Sequence, residues 1–307
     1  MTRKASNKVM TAQEAVKRFV HDGATVGMGG QSIGRCAMAV THEIVRQGIK
    51  DLTLVGCNLS MSMDILVGAG LAKRTECGTG NLERFGTTFR WRKAIEDRTL
   101  EVEDYSHLAM ASRFLAGSLG LPFMPSKSML GTDILNKQIA NGSDAFRVID
   151  NPWDLDEPVV LLPACKPDVS IIHAQKADQM GNIIIEGFTT QEPEMVKASS
   201  SVIVSCEELI SSDEVRRHPD RTTVPYIFVD AVVVQPWGSF PTSTYGHYEH
   251  DPEHLRRYQA CARPGGEAYE EYLREFIYEC ENFDEHLDRA ISSARREELR
   301  ASMQKLL

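Results

Sequence analysis

Short apolar runs of strand type alternate with helical segments along the first two thirds of the sequence. The strand-type runs lie at 24–28, 52–55, 159–162, 169–172 and 183–185. Apolar residues recur at helical spacing between several of these runs, as over 37–47 and 106–119. Strands that alternate with helices form a mostly parallel sheet whose faces the helices cover. The pattern therefore predicts a layered α/β fold.

The remaining segments predict one excursion from the core and a helical tail. Turn residues crowd the stretch 130–158, including Asn141-Gly142 and Asn151-Pro152, which predicts a long surface loop. Strand patterns return at 201–206 and 230–234. From about 250 to 307 the chain is charged, with apolar residues at helical spacing. No internal repeat divides the sequence, so we treat residues 1–307 as a single domain with a helical C-terminal tail.

The composition argues against several classes of protein. The 34 lysines and arginines are scattered and face 43 acids, for a formal net charge of −9, so nucleic acid is not an expected partner. The seven cysteines form no Cys-x-x-Cys pair, which argues against a disulfide framework or a zinc site. No apolar run approaches the roughly 20 residues of a membrane span. We expect a cytoplasmic protein with no metal and no tightly bound cofactor.

A glycine-rich turn follows the first predicted strand. Gly27, Gly29 and Gly30 stand where a strand gives way to a helix, and free backbone amides at such a turn bind anionic oxygens. The third glycine of a dinucleotide fingerprint would fall at Ser32, and no phosphate-binding lysine follows. We therefore take Gly29, Gly30 and the adjacent Gln31 as candidate oxyanion or substrate-binding residues. The alternative is a tight strand-to-helix turn without a ligand.

A second motif carries a family resemblance. The predicted strand ending near His173 leads into Ala177-Asp178 and Gly181-Asn182, followed by another strand. With the N-terminal Gly-Gly turn, this arrangement resembles the alpha subunits of family I coenzyme A transferases, especially the glutaconate type. Further similar segments extend over nearly the whole chain, among them Gly120-Leu121-Pro122-Phe123 and Ile149-Asp150-Asn151-Pro152. The resemblance implies a three-layer αβα structure of the coenzyme A transferase (NagB-like) fold.

The resemblance also implies a reaction that needs a second chain. In this family a glutamate on the beta subunit performs the attack on an acyl-CoA thioester and carries CoA to another carboxylic acid through a glutamyl-CoA thioester. No Glu-Asn-Gly tripeptide, the usual setting of that glutamate, occurs here, and Glu207 and Glu208 end a predicted strand. We therefore expect an alpha-type subunit of an α2β2 or larger assembly, classed near EC 2.8.3. Such a chain uses coenzyme A as substrate and is active only with its beta subunit.

His107 is the candidate catalytic residue. It occupies the place where the resemblance puts a glutamine whose amide binds the oxyanion, and an imidazole can also donate a hydrogen bond. If His107 acts instead as a general base, the same scaffold would hydrolyse a CoA thioester or, as in a ring-opening branch, a carbon-carbon bond. A structural alternative makes His107 a cap of the helix that begins near Ser106. A further alternative is a non-catalytic module that binds a small anion without any partner.

Three further positions complete the candidate site. Arg35 follows the Gly-Gly turn at the spacing of the glutaconate type, and its guanidinium suits a carboxylate or phosphate of the substrate or of CoA. A solvated arginine is the alternative. Gly80 and Asn81 fall in the segment that the resemblance assigns to the substrate loop. Nearby aromatic residues could line an acyl pocket or belong to the core: Phe85, Phe89 and Trp91.

Overall fold

A computed structural model describes residues 7–143 and 145–307. Its strands are β1 (Thr25–Met28), β2 (Leu52–Leu59), β3 (Ala72–Gly80), β4 (Glu101–Asp104), β5 (Phe123–Ser126), β6 (Arg147–Asn151), β7 (Asp154–Pro163), β8 (Val169–Asp178), β9 (Ile183–Ile184), β10 (Ser201–Ile210) and β11 (Ala231–Val234). Its α-helices are α1 (Ala12–Phe19), α2 (Met38–Gln47), α3 (Met61–Gly68), α4 (Phe89–Glu96), α5 (His107–Ser118), α6 (Asp133–Ala140), α7 (Glu192–Ala198), α8 (Ser212–Arg217), α9 (Pro252–Ala262), α10 (Gly266–Leu273), α11 (Phe283–Ala290) and α12 (Ser293–Gln304).

The main sheet has the strand order β11-β10-β8-β1-β2-β3-β4, and all of these neighbours pair in parallel. Strand β9 joins its end as a short antiparallel partner of β8. Helices α5 and α7 contribute to the hydrophobic cluster on one face, while α1, α2 and α3 contribute to the cluster on the other. The predicted three-layer αβα fold with a mostly parallel sheet is therefore confirmed.

The predicted loop over 130–158 is wrong. This stretch contains α6 and β6 and begins β7, and β5, β7 and β6 form a separate antiparallel sheet. Val160 and Leu162 of β7 are fully buried against the α5 side of the core, so the run at 159–162 is a strand of this small sheet. The turn residues that suggested a loop instead end a helix, at Asn141, and connect the two strands of a hairpin, at Pro152.

Two strands of the main sheet are absent from the sequence pattern. Strands β3 and β4 carry charged residues because they lie at one side of the sheet, where Arg74 forms ion pairs with Glu76 and Glu103. Arg113 of α5 donates a hydrogen bond of 2.8 Å to the other oxygen of Glu76. Charges paired in this way let a strand without an apolar run join the sheet.

The helical C-terminal tail is confirmed, and it packs onto the body. Its side chains Tyr258, Tyr272 and Phe276 are almost completely buried, in the same hydrophobic cluster as β1 and α2. A π-helical segment, Arg274–Tyr278, continues α10 towards α11. The common cluster agrees with a single domain over residues 1–307, which remains a prediction.

Candidate active site

The candidate residues gather at the carboxyl edge of the parallel sheet. Strand β1 lies in the middle, and the chain continues from it through β2 to β4 on one side and later through β8 to β11 on the other. Such a reversal of strand order leaves a crevice beyond the carboxyl ends of the two central strands, where open α/β sheets bind their ligands. The turn of Gly29 and Gly30 leaves β1 at this crevice.

The backbone amides of this turn are not free, contrary to the expectation from the sequence. The Gly29 amide donates to the Ile171 carbonyl at 2.8 Å, and the Gln31 amide to the Gly34 carbonyl at 2.9 Å. The Gly30 amide donates to Glu192 Oε1 at 2.9 Å, with Gly30 at a φ of +83° that favours glycine. These bonds arise because β1 continues its pairing with β8 and a tight turn follows. Direct binding of an anion by these amides is therefore not supported.

Arg35 finds its acid within the chain. Its guanidinium donates at 2.8 Å to Glu192 Oε1 and at 2.5 Å to Glu192 Oε2, and also at 2.9 Å to the His173 carbonyl. Glu192 is fully buried at the start of α7. The alternative of a solvated arginine is wrong, and the expected external acid is replaced by Glu192. No local sequence pattern reveals this partner, because residues 157 positions apart meet only through the sheet.

His107 is exposed at the first position of α5. The Ser106 hydroxyl caps the helix by accepting from the Ala109 amide at 3.0 Å, so His107 is not the cap. Within residues 7–143 and 145–307, no hydrogen bond engages the His107 ring. The ring instead covers Gly78, where an added Cβ would lie 2.2 Å from His107 Cδ2. An imidazole with both nitrogens open to a ligand can serve as donor or as base.

Strand register relates His107 to the Gly-Gly turn. Gly27 pairs with Val55, and Gly56 pairs with Cys77, so Gly29, Cys57 and Gly78 are level across β1, β2 and β3. Two strand spacings separate Gly29 from Gly78, about 10 Å. An added Cβ on Gly29 would meet Ile172, which belongs to the cluster on the α5 and α7 face. The imidazole and the turn therefore share one face and one edge of the sheet.

Gly80 and Asn81 are held by other parts of the chain. Gly80 is buried, its carbonyl accepts from Thr88 Oγ1 at 3.1 Å, and an added Cβ would lie 2.7 Å from Met63 Cε. Asn81 Oδ1 accepts from Ser32 Oγ at 3.2 Å, which connects this segment to the turn after β1. Substrate binding by both residues remains a prediction. The aromatic residues next to them pack against the core, which favours the structural alternative: Phe85, Phe89 and Trp91.

Glu207 is part of a buried polar network. Its carboxylate lies 2.8 Å from His173 Nε2 and accepts from Tyr248 OH at 2.7 Å and from the Trp237 amide at 2.7 Å. Burial alone would raise the pKa of Glu207, but these hydrogen bonds and the neighbouring imidazole hold it below the usual value. Such a carboxylate supports the strand ends and is not open to a thioester. Glu208, the other acid considered, is exposed.

No group of three or more His, Cys, Asp or Glu side chains is arranged to hold a metal ion in the part of the chain that the structure describes. The cysteines are all free thiols, and burial raises the pKa of Cys57, beside His107, to about 12. Among the described residues, no helix combines the length and apolar character needed to cross a bilayer.

Known proteins resemble this chain over most of its length. The family model described as coenzyme A transferase matches residues 9–235. An uncharacterized protein of Archaeoglobus fulgidus is 36% identical over 97% of this chain, which spans only 66% of that protein's length. The alpha subunit of glutaconate CoA-transferase from Acidaminococcus fermentans is 35% identical, with 92% of each chain covered.

Two further comparisons extend this result. The corresponding subunit of 3-oxoadipate CoA-transferase from Pseudomonas knackmussii is 33% identical over 91% of this chain and 96% of its own. The crystal structure of glutaconate coenzyme A-transferase from Acidaminococcus fermentans superposes with a TM-score of 0.90, at 34% identity, over 95% of both chains. Similarity therefore includes both the sequence and the whole fold.

Proposed function

The chain belongs to the coenzyme A transferase family, and we propose that it is the alpha-type subunit of a hetero-oligomeric enzyme that moves CoA between carboxylic acids. The observation that carries this proposal is the agreement with the alpha subunit of glutaconate CoA-transferase over 92% of the chain. The beta subunit supplies the catalytic glutamate, and the pair assembles as α2β2 or larger in the cytoplasm. Coenzyme A enters as the thioester substrate.

The proposed reaction divides one exchange into successive acyl transfers. A carboxylate oxygen of the partner's glutamate attacks the thioester carbonyl carbon, the carbon-sulfur bond breaks, and CoA leaves as the thiolate from a mixed anhydride. The thiolate then attacks the glutamyl carbonyl carbon, and the first acid leaves as a carboxylate. A second carboxylate takes CoA from the resulting glutamyl-CoA thioester by the reverse steps.

In this scheme the chain supplies a donor for the oxyanion. His107 fits this role because its ring is exposed at the edge of the sheet, level with the turn after β1. A donor aimed at the developing oxyanion lowers the barrier of each tetrahedral step. Gln31 adds a side-chain amide at the same crevice. Glu207 does not compete with the partner's glutamate, because its oxygens are occupied inside the chain.

The test combines this chain with the protein encoded by the adjacent reading frame. CoA exchange between two carboxylic acids by the mixture, with no activity from either protein alone, is the expected result. Hydroxylamine should trap an activated glutamyl group on the partner. Steady release of product into water without such a group would favour the hydrolase alternative, in which His107 is the base. Binding of a small anion without any turnover would favour the non-catalytic module.

A further inference from the structure

A cavity opens beside Gln31 at the carboxyl edge of the sheet. It has a volume of about 430 Å³, which lies within the range of small-molecule pockets. Phe188 and Tyr245, both largely exposed, and Met303 of the last helix form its apolar walls. Polar groups line the remainder, chiefly Gln31, Arg35 and Thr190. The pocket thus adjoins the turn after β1 without being part of it.

The walls of this pocket are held in place by one buried amide. Gln175 Nε2 donates to the Glu186 carbonyl at 3.0 Å and to the Tyr245 carbonyl at 3.1 Å, while its Oε1 accepts from the Glu186 amide at 3.0 Å. Between them Gly187 has a φ of +85°, and an added Cβ would lie 3.1 Å from Tyr245 Cδ1. The pocket is therefore preformed, which lowers the cost of ligand binding.

The electrostatics of the pocket disfavour a second carboxylate. Among the described residues that line it, Arg35 is the only lysine or arginine, and Glu192 already engages both of its terminal nitrogens. Two acids, Glu186 and Glu249, also line the pocket. Lys176 lies 3.4 Å from Glu186, and the imidazole of His250 lies 3.0 Å from Glu249. A carboxylate entering here would lose its hydration and gain no unpaired cation.

A neutral oxygen, by contrast, has a partner available. Thr190 Oγ1 is buried and makes no hydrogen bond within residues 7–143 and 145–307. Buried hydroxyls are normally satisfied, so an unpaired one that lines a pocket points to a ligand or a water molecule. It can accept from or donate to a carbonyl or hydroxyl group without any charge.

From these features we infer that the pocket takes the acyl chain of a monocarboxylic acid, neutral and largely apolar beyond its reacting carboxyl group. The inference rests on the proposed transferase function and names its substrate class. It separates this protein from the two transferases above, which are named for dicarboxylic acids. Phe188 and Tyr245 contact the hydrocarbon part of the acid, and Thr190 binds a neutral oxygen on it.

The test uses the complex of this protein with its partner and acceptor acids of equal length. Hexanoate is compared with adipate and pentanoate with glutarate, with kcat/KM for CoA transfer as the measurement. The monoacid of each pair should be preferred by at least about tenfold, which corresponds to about 1.4 kcal/mol. Equal or better transfer to the diacid overturns the inference and leaves the transferase function intact. No transfer to any acid overturns both.

Matched variants place the acyl chain in this pocket. Glu249→Lys puts a cation at its wall and should shift the preference towards the diacid by about tenfold, whereas Glu253→Lys, on α9 outside the pocket, should not. Phe188→Ala should raise KM for hexanoate more than kcat changes. Thr190→Val should weaken 3-hydroxyhexanoate relative to hexanoate. An unchanged ratio in Glu249→Lys together with an unchanged KM in Phe188→Ala would overturn the assignment.

Discussion

Glu192 holds both the guanidinium of Arg35 and the backbone amide of Gly30, so one buried carboxylate connects the turn after β1 to the start of α7. Its Oε1 accepts from Arg35 at 2.8 Å and from Gly30 at 2.9 Å, and its Oε2 accepts from Arg35 at 2.5 Å. The turn that borders the candidate site is thus shaped by an ion pair that spans the sheet.

Replacing Glu192 should destabilise the protein. Glu192→Gln leaves the buried charge of Arg35 without its counterion, and breaking a buried pair in this way costs about 3 kcal/mol. Urea unfolding followed by circular dichroism measures the change. Glu96→Gln is the control, because its exposed pair with Arg92 contributes less than about 0.5 kcal/mol. Equal effects of the two substitutions would show that the Glu192 pair is not what holds the turn.

Loss of the His107 imidazole should affect catalysis and leave stability unchanged. In the assembled enzyme His107→Ala should lower kcat by about 100-fold or more, the usual effect of removing one oxyanion donor. The side chain is exposed and has no hydrogen bond within the described residues, so urea unfolding should not change. His218→Ala removes another exposed histidine, at the end of α8, and should be silent. Full activity of His107→Ala would remove this residue from the mechanism.

Gly78 should control the position of that imidazole. In Gly78→Ala the new methyl group would overlap His107 Cδ2 and lie 2.8 Å from the Cys57 carbonyl, so the ring must move. CoA transfer should fall towards the level of His107→Ala, with a loss of about 1–3 kcal/mol in stability from overpacking. In the double variant the two activity losses should not add, since both act on one ring. Additive losses would indicate that Gly78 acts independently of His107.

Acid should loosen the helical tail before it affects the sheet. His42 of α2, His254 of α9 and His286 of α11 contact one another through their rings in a buried cluster. Burial lowers the pKa of His254 to about 4 and those of His42 and His286 well below the usual value. The unfolded chain therefore binds more protons than the folded one as the pH falls below about 6.5, and stability declines towards pH 4.

Urea unfolding at pH 8, 6 and 5 tests this prediction. Each unit of pKa difference corresponds to about 1.4 kcal/mol, so His254 accounts for about 3 kcal/mol by pH 4. Arg46 and Arg257 also lower the pKa values in the cluster, whereas Asp251 raises that of His254. His42→Phe should flatten the decline, because a phenyl ring does not titrate. His21→Phe, at an exposed position, should keep it, and a wild-type stability that does not change with pH would contradict the account.

The candidate site could be predicted from sequence only in part. The glycine turn after β1 and the position of His107 at a helix start follow from local patterns, and both are present. The hydrogen bonds of the Gly29 and Gly30 amides could not be predicted, because their acceptors, Ile171 and Glu192, are distant in the sequence. Phe188 and Thr190 carried no signal, since a pocket is defined by walls from different parts of the chain.

Apolar periodicity and turn residues by themselves determined the α/β class, the central strands and the helical tail, because burial of apolar faces depends on spacing along the chain. Tertiary structure alone decided which charged segments became strands, as in β3, and which turn residues ended elements instead of opening a loop. It also decided that Arg35 meets Glu192 and that His107 stays exposed. Those outcomes depend on side chains that the sheet brings together from distant positions, and no local pattern specifies them.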